Sequence, residues 1–171
     1  MGKAHSNLVL IGMPGAGKST VGVILAKMTS HDFVDTDVLI QTGQERTLQE
    51  IIDTDGFMTL RQIEEDVLLG LSVRNHVIAT GGSAAYSRPA MAHLKSEGSV
   101  IFLDVDLATL ESRVLDFSMR GLAKRPDQSF ADLFAERFEL YTRYADITIK
   151  CDTMSPEAIC ASIIEEAEIH C

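Results

Sequence analysis

Read for hydrophobic period alone, the chain alternates short, unbroken apolar runs with longer amphipathic ones. Leu8-Val9-Leu10-Ile11 has no polar interruption, as a strand buried on both faces requires. Val21 to Met28 carries apolar residues at helical spacing, which predicts a helix opening near Lys18 and ending near Ser30. Further strands are predicted at Asp32-Phe33-Val34-Asp35, His76 to Thr80, Ser99 to Asp104 and Ile147-Thr148-Ile149. Strands that alternate with helices over short connections build βαβ units and a parallel sheet, so the expected class is α/β.

One region departs from the alternation. Residues 38–71 read as helices with no strand among them, which suggests a helical lobe laid over the sheet. Thr47-Leu48-Gln49-Glu50 is a capping box for a helix that stops near Gly56. Phe57 to Leu71 then predicts a longer amphipathic helix carrying Arg61, Glu64 and Glu65. Later helices are expected over Arg88 to Ser96 after Ser87, from Asp106 to about Asp116, over Phe130 to Tyr144 after Ser129, and after Ser155-Pro156. Phe117 to Gln128 holds cations, Gly and Pro without periodicity and predicts a loop.

Between the first strand and the first helix lies Gly12-Met13-Pro14-Gly15-Ala16-Gly17-Lys18-Ser19-Thr20, a match to G-x-x-x-x-G-K-[ST] in the strand-loop-helix context this pattern needs. Glycines there free successive N–H groups to point at phosphate oxygens, and the helix N-terminus favours the same anion. Lys18 would reach the outer phosphates and Ser19 would offer its hydroxyl to Mg²⁺, so the expected ligands are ATP and Mg²⁺. Thr20 is expected within the helix, beneath the site. Asp35 and Asp37 follow the second strand, and Gly81-Gly82 follows the third, at the strand ends where ligands bind in such sheets.

Composition narrows the class further. The 171 residues carry a formal charge of −10, which disfavours nucleic acid, and no window is apolar enough for a membrane span. The N-terminus leads directly into a core strand, so no signal peptide is expected. Cys151, Cys160 and Cys171 are an odd, sparse set without zinc-ligand spacing, which suits a reducing compartment; a cytoplasmic monomer is the expectation.

Taken together, these elements resemble the shikimate kinases. The phosphate loop, Asp35-Thr36-Asp37, Arg61 before Glu64, Gly81-Gly82, a loop arginine and Arg137-x-x-x-Tyr141 followed by Ala145-Asp146 occur in that family's order, from about Asn7 to Ile164. The resemblance implies a P-loop kinase fold with a five-stranded parallel sheet flanked by helices, a substrate lobe at about 36–64 and a lid at about 114–128. All of it would lie in one kinase domain spanning residues 1–171. It implies MgATP-dependent phosphorylation of the shikimate 3-hydroxyl. By position, Asp37 would bind the acceptor hydroxyl and take its proton, with Lys18 and Arg120 meeting the transferring phosphate. Asp35 would help Ser19 hold Mg²⁺. Gly12, Gly15, Ala16, Gly17, Lys18, Ser19, Thr20 and Arg113 would bind the nucleotide, and Arg61, Gly81, Gly82 and Arg137 the small carboxylate substrate.

The sequence also departs from the family pattern. Ser83 stands where a third glycine is usual, Leu60 replaces an aromatic residue, and Arg120 is followed by Gly121-Leu122-Ala123, with Arg125-Pro126 as a second lid candidate. Two alternatives therefore stay open at the level of sequence: a kinase for another hydroxy acid such as gluconate, or a non-catalytic ATP-binding regulatory module. The residues also have plainer readings. Asp35 and Asp37 are sound helix caps, while Arg61 could pair with Glu64 or Glu65 and Arg137 with Glu136 or Glu139.

Overall fold

The computed structural model describes residues 6–117 and 121–168. Its five strands are β1 (Asn7–Ile11), β2 (Asp32–Asp35), β3 (His76–Ala79), β4 (Gly98–Asp104) and β5 (Ile147–Lys150). They form one parallel sheet in the order β2-β3-β1-β4-β5. The central place of β1 explains its composition: every one of its residues is buried, so Leu8–Ile11 run apolar without alternation, and the one polar residue, Asn7, has its side chain bonded to the Val73 carbonyl and the His76 N–H.

Helix α1 (Lys18–Thr29) returns from β1 and packs against β2, β3 and the last helix, α8 (Pro156–Glu166). Ser30, in the left-handed region, ends α1, as the pattern predicts. Helices α5 (Arg88–Glu97) and α7 (Phe130–Tyr144) pack against β4. Their serine caps form as expected, Ser87 accepting from the Ala90 N–H and Ser129 completing a capping box with Asp132.

The helical stretch resolves into α2 (Thr36–Gln44), α3 (Leu48–Asp55) and α4 (Phe57–Leu69), with the Thr47–Glu50 capping box in place. It has its own apolar cluster of Ile40, Ile51 and Leu60, to which Ala123 from the later loop is added. Burying each of the three larger side chains stabilises the lobe by about 1.5–3 kcal/mol. The loop residue is therefore part of the lobe's packing.

The expected lid needs one correction. Helix α6 (Leu107–Phe117) continues past position 114, and Val114 is buried in the main core beside Gly15. Irregular backbone at the described positions begins only at Gly121. Arg120, the expected lid arginine, lies outside the described residues. A short 3-10 turn over Ala84–Tyr86, which the periodicity does not signal, follows the glycine turn after β3. Among the described residues no helix is long and apolar enough to cross a membrane.

Candidate active site

A cleft of about 540 Å³ opens at the carboxyl ends of the strands. The phosphate loop, Lys18, Ser19 and Thr20 line it on one side. Asp37, Leu60, Glu64, Gly81, Gly82, Ser83 and Arg137 line it on the other, and Gly121, Leu122 and Ala123 complete the wall.

The loop owes its shape to its glycines. Gly12 has a φ of 151°, and a Cβ there would stand 2.9 Å from the Leu103 carbonyl oxygen of β4. Only glycine lets the chain turn so close to the neighbouring strand. Lys18, buried at the start of α1, donates to the carbonyls of Gly12 at 2.7 Å and Met13 at 2.9 Å. Burial pushes its ammonium down to about 8, a shift that the field of Asp37 opposes. Ala16 is buried within the loop, and Arg113 donates to the Gly15 carbonyl at 3.0 Å, which places it against the loop's outer side. Thr20 is not beneath the site. It is exposed on α1 and lines the cleft, because the first turn of that helix faces the opening.

Ser19 donates to Asp35 Oδ2 at 2.5 Å, and Asp35 Oδ1 accepts the backbone N–H of Asp37 at 2.9 Å. The capping reading of Asp35 is thus correct, and the same carboxylate also reaches the loop serine. Two hard oxygen donors stand side by side there, as Mg²⁺ prefers. Among the described residues no group of three or more His, Cys, Asp or Glu side chains could hold a metal ion alone. A metal completed by phosphate and water suits this donor set.

Across the cleft from the phosphate loop, the glycine turn is held from both ends. Thr36, fully buried, accepts the Gly81 N–H at 3.2 Å, and Tyr141 donates to the Gly82 carbonyl at 2.5 Å. A Cβ at Gly81 would collide with Glu64 Oε1 and Asp37 Oδ1, and one at Gly82 with Arg137 Nη1. The backbone is bare because three charged side chains crowd against it. Burial raises the Asp37 carboxyl above its ordinary range, with Lys18 pulling it back. Glu64 is pushed up to about 7, chiefly by burial, while a hydrogen bond from Ser83 opposes the shift.

The two candidate arginines differ. Arg137 is 1% exposed, lines the cleft and donates to the Ala123 carbonyl at 3.0 Å. Arg61 donates to the same carbonyl at 3.1 Å, but it borders a smaller neighbouring pocket and lies 3.7 Å from the centre of the Tyr86 ring. Neither forms the carboxylate ion pair that sequence spacing suggests, since the three ion pairs among the described residues are Arg46–Asp55, Lys95–Asp146 and Arg125–Glu136. Arg61 stacks instead, and its Nε and that of Arg137 are buried without a partner. Arg125, the reserve lid candidate, faces Glu136 at 3.7 Å.

The phosphate-loop motif, the Ser19–Asp35 oxygen pair and the buried Arg137 share one opening, and residues 14–168 match the family described as shikimate kinase. The chain belongs to the shikimate kinase family. It is 36% identical over 163 residues to the shikimate kinase of Rippkaea orientalis, covering 93% of this chain and 86% of that one. It is 32% identical to shikimate kinase 2 of Enterobacter sp., covering 96% and 97%. The shikimate kinase from Acinetobacter baumannii, solved in complex with shikimate, superposes with a TM-score of 0.87 at 30% identity, over 94% of this chain and 92% of that one.

Sequence reasoning missed Glu64 as a cleft residue, along with the Ala123 carbonyl and Tyr86. The one available signal was the position of Glu64 one helical turn after Arg61, which reads equally well as a surface pair.

Proposed function

We propose that this chain transfers the γ-phosphoryl group of ATP to the 3-hydroxyl of shikimate. The observation that carries the reading is the shared cleft: a phosphate loop with its buried lysine faces Asp37 and Arg137 across about 540 Å³, room for a small acid beside the end of a triphosphate. Phosphoryl transfer asks for positioning and charge neutralisation more than covalent help, and those are the parts assembled here.

In this reading Lys18 exchanges the Gly12 and Met13 carbonyls for phosphate oxygens. Gly12, Gly15, Ala16 and Gly17 cradle the phosphates, with Ser19, Thr20 and Arg113 around them. Ser19, and Asp35 through water, would hold Mg²⁺, which when bound neutralises phosphate charge. Arg137 and Arg61 grip the acceptor carboxylate, giving up the Ala123 carbonyl to do so, because a guanidinium fork matches a carboxylate better than a single neutral oxygen. Gly81 and Gly82 let the acceptor ring approach the backbone. Asp37 orients the hydroxyl and accepts its proton as the oxygen attacks phosphorus. Its raised affinity for protons suits that task. Arg120 is assigned to the transferring phosphate by its place in the sequence alone.

A coupled assay with ATP, Mg²⁺ and a panel containing shikimate, gluconate and other hydroxy acids tests the reading. ADP release dependent on shikimate is expected. Turnover with a different acid only would overturn the acceptor assignment, and tight ATP binding without turnover of any acceptor would overturn the kinase assignment.

A further inference from the structure

Arg61 carries one of the two guanidiniums assigned to the acceptor, yet the ion pairs among the described residues do not include it. What it rests on is a ring. Its guanidinium carbon lies 3.7 Å from the centre of the Tyr86 ring and 5.2 Å from that of Phe57, while the guanidinium carbon of Arg137 is 5.5 Å from the Tyr86 ring. At the same time Arg61 Nη2 donates to the Ala123 carbonyl at 3.1 Å. The two contacts coexist because a guanidinium is planar: a ring takes its face, and its N–H donors point outward in the plane.

Tyr86 is itself fixed at both ends. Its N–H donates to the Ser83 carbonyl at 3.1 Å, closing the 3-10 turn that packs against α4 and α7. Its hydroxyl donates to Glu136 Oε1 on α7. The other oxygen of that carboxylate accepts from Gln128 Nε2 at 3.1 Å and faces Arg125 at 3.7 Å, so Glu136 is held as well. Glu136 is also the acid whose charge reaches Arg61, and it acts at a distance without forming an ion pair with it.

We propose that Tyr86 is a positioning residue for the acceptor: its ring, moored to α7 through Glu136, holds the face of the Arg61 guanidinium and leaves the in-plane N–H groups to the acceptor's carboxylate. An arginine free to rotate must be ordered as the acceptor binds. Held on the ring, it is ordered by folding instead, and a ring face takes none of the donors the acceptor needs. The inference rests on the acceptor reading above, but the hold of Tyr86 on Arg61 can be measured without it.

The test uses the full chain with Tyr86→Leu, which removes the ring, and Tyr86→Phe, which keeps the ring but not its tie to Glu136. With turnover of shikimate by the unaltered enzyme as the reference, Tyr86→Leu should raise the acceptor KM about two- to tenfold, the range of one partly desolvated cation–ring contact. The ATP KM and kcat should change less. Tyr86→Phe should restore part of the affinity. In an Arg61→Ala background, where the guanidinium is already gone, Tyr86→Leu should add little to the acceptor KM. NMR of the arginine side chains reads the contact directly. The Arg61 resonances, assigned by their loss in Arg61→Ala, should lose the ring's upfield shift in Tyr86→Leu and keep most of it in Tyr86→Phe.

An acceptor KM unchanged in both variants overturns the inference, as does a Tyr86→Leu effect that persists in full without Arg61. Arg61 resonances that Tyr86→Leu leaves in place overturn it too, whatever the kinetics. Should Tyr86→Leu fail to fold, Tyr86→Phe decides alone, and an acceptor KM it leaves unmoved overturns the inference. If the unaltered enzyme turns over no shikimate, the acceptor reading fails and takes the role of Tyr86 with it, while the Arg61 resonances still decide the stacking.

Discussion

Tyr141 and Gly82 are joined by a hydrogen bond of 2.5 Å, the phenol donating to the glycine carbonyl, which ties helix α7 to the glycine turn that lines the cleft. Arg137 lies one helical turn before Tyr141, so the same helix fixes both that turn and a wall of the cleft. Tyr141 is fully buried, and burial pushes its hydroxyl up to about 12, which keeps it a donor at working pH. Tyr141→Phe leaves the Gly82 carbonyl without this partner. Such a loss costs about 1–3 kcal/mol of folding stability, measurable by urea denaturation. The acceptor KM should rise while the ATP KM stays near its original value. Equal stability and an unchanged acceptor KM would show that the turn holds itself.

Lys18 gives a second prediction. Its ammonium is buried and titrates near 8, so a growing fraction is neutral above that pH. A neutral amine attracts phosphate less, and ATP affinity should therefore fall as pH rises through about 8. Lys18→Met should abolish that slope and lower turnover at least about a hundredfold, the usual loss for one charge-stabilising donor. Calorimetric titration of ATP across that pH range reads the first effect. A slope that survives in Lys18→Met assigns it to another group.

The strand and helix order was legible because β1 and β4 are buried runs and the helices carry their own serine and threonine caps. The phosphate loop was legible because its chemistry is local to nine residues. Glu64 was not, because an acid one turn after an arginine looks like a solvated pair until the 81–83 turn packs over it. Nor could spacing reveal that Arg61 and Arg137 converge on the Ala123 carbonyl: a backbone oxygen carries no residue signature. Thr20 was misplaced for a related reason, since helical periodicity gives a face but not which side of the loop it meets.

Glu64 makes stability depend on pH in a defined direction. Its carboxyl titrates near 7 in the folded chain against 4.5 for the free side chain. Between those values the folded state holds a proton that the unfolded state has lost, so this group's contribution is complete below about 4.5 and is lost as pH rises through about 7. Glu64→Gln cannot titrate. The stability of the unaltered chain relative to Glu64→Gln should therefore decline across that window. A difference that stays flat from acid to neutral pH would mean that Glu64 titrates alike in the folded and unfolded chains.

Arg61 and Arg137 should differ in what their loss does. Arg137 is sealed in the cleft wall, so Arg137→Ala removes the proposed partner of the acceptor carboxylate and opens a cavity beside Gly82. Arg61 is half-buried and stacked on Tyr86, an arrangement worth about 0.5–2 kcal/mol that Arg61→Ala also removes. Both variants should raise the acceptor KM more than the ATP KM, because the hydrogen bonds of both residues go to the Ala123 carbonyl and not to the phosphate loop. The increase should be larger for Arg137→Ala, at about 2–5 kcal/mol of lost acceptor binding, as expected when one partner of a buried charged pair is truncated. Lysine at 137 should recover only part of this, since an ammonium cannot bind both carboxylate oxygens in the plane of a fork. Steady-state kinetics with shikimate varied at saturating ATP gives the order directly. An unchanged acceptor KM in Arg61→Ala would leave Arg137 as the carboxylate partner and make Arg61 a residue of the loop contact at Ala123.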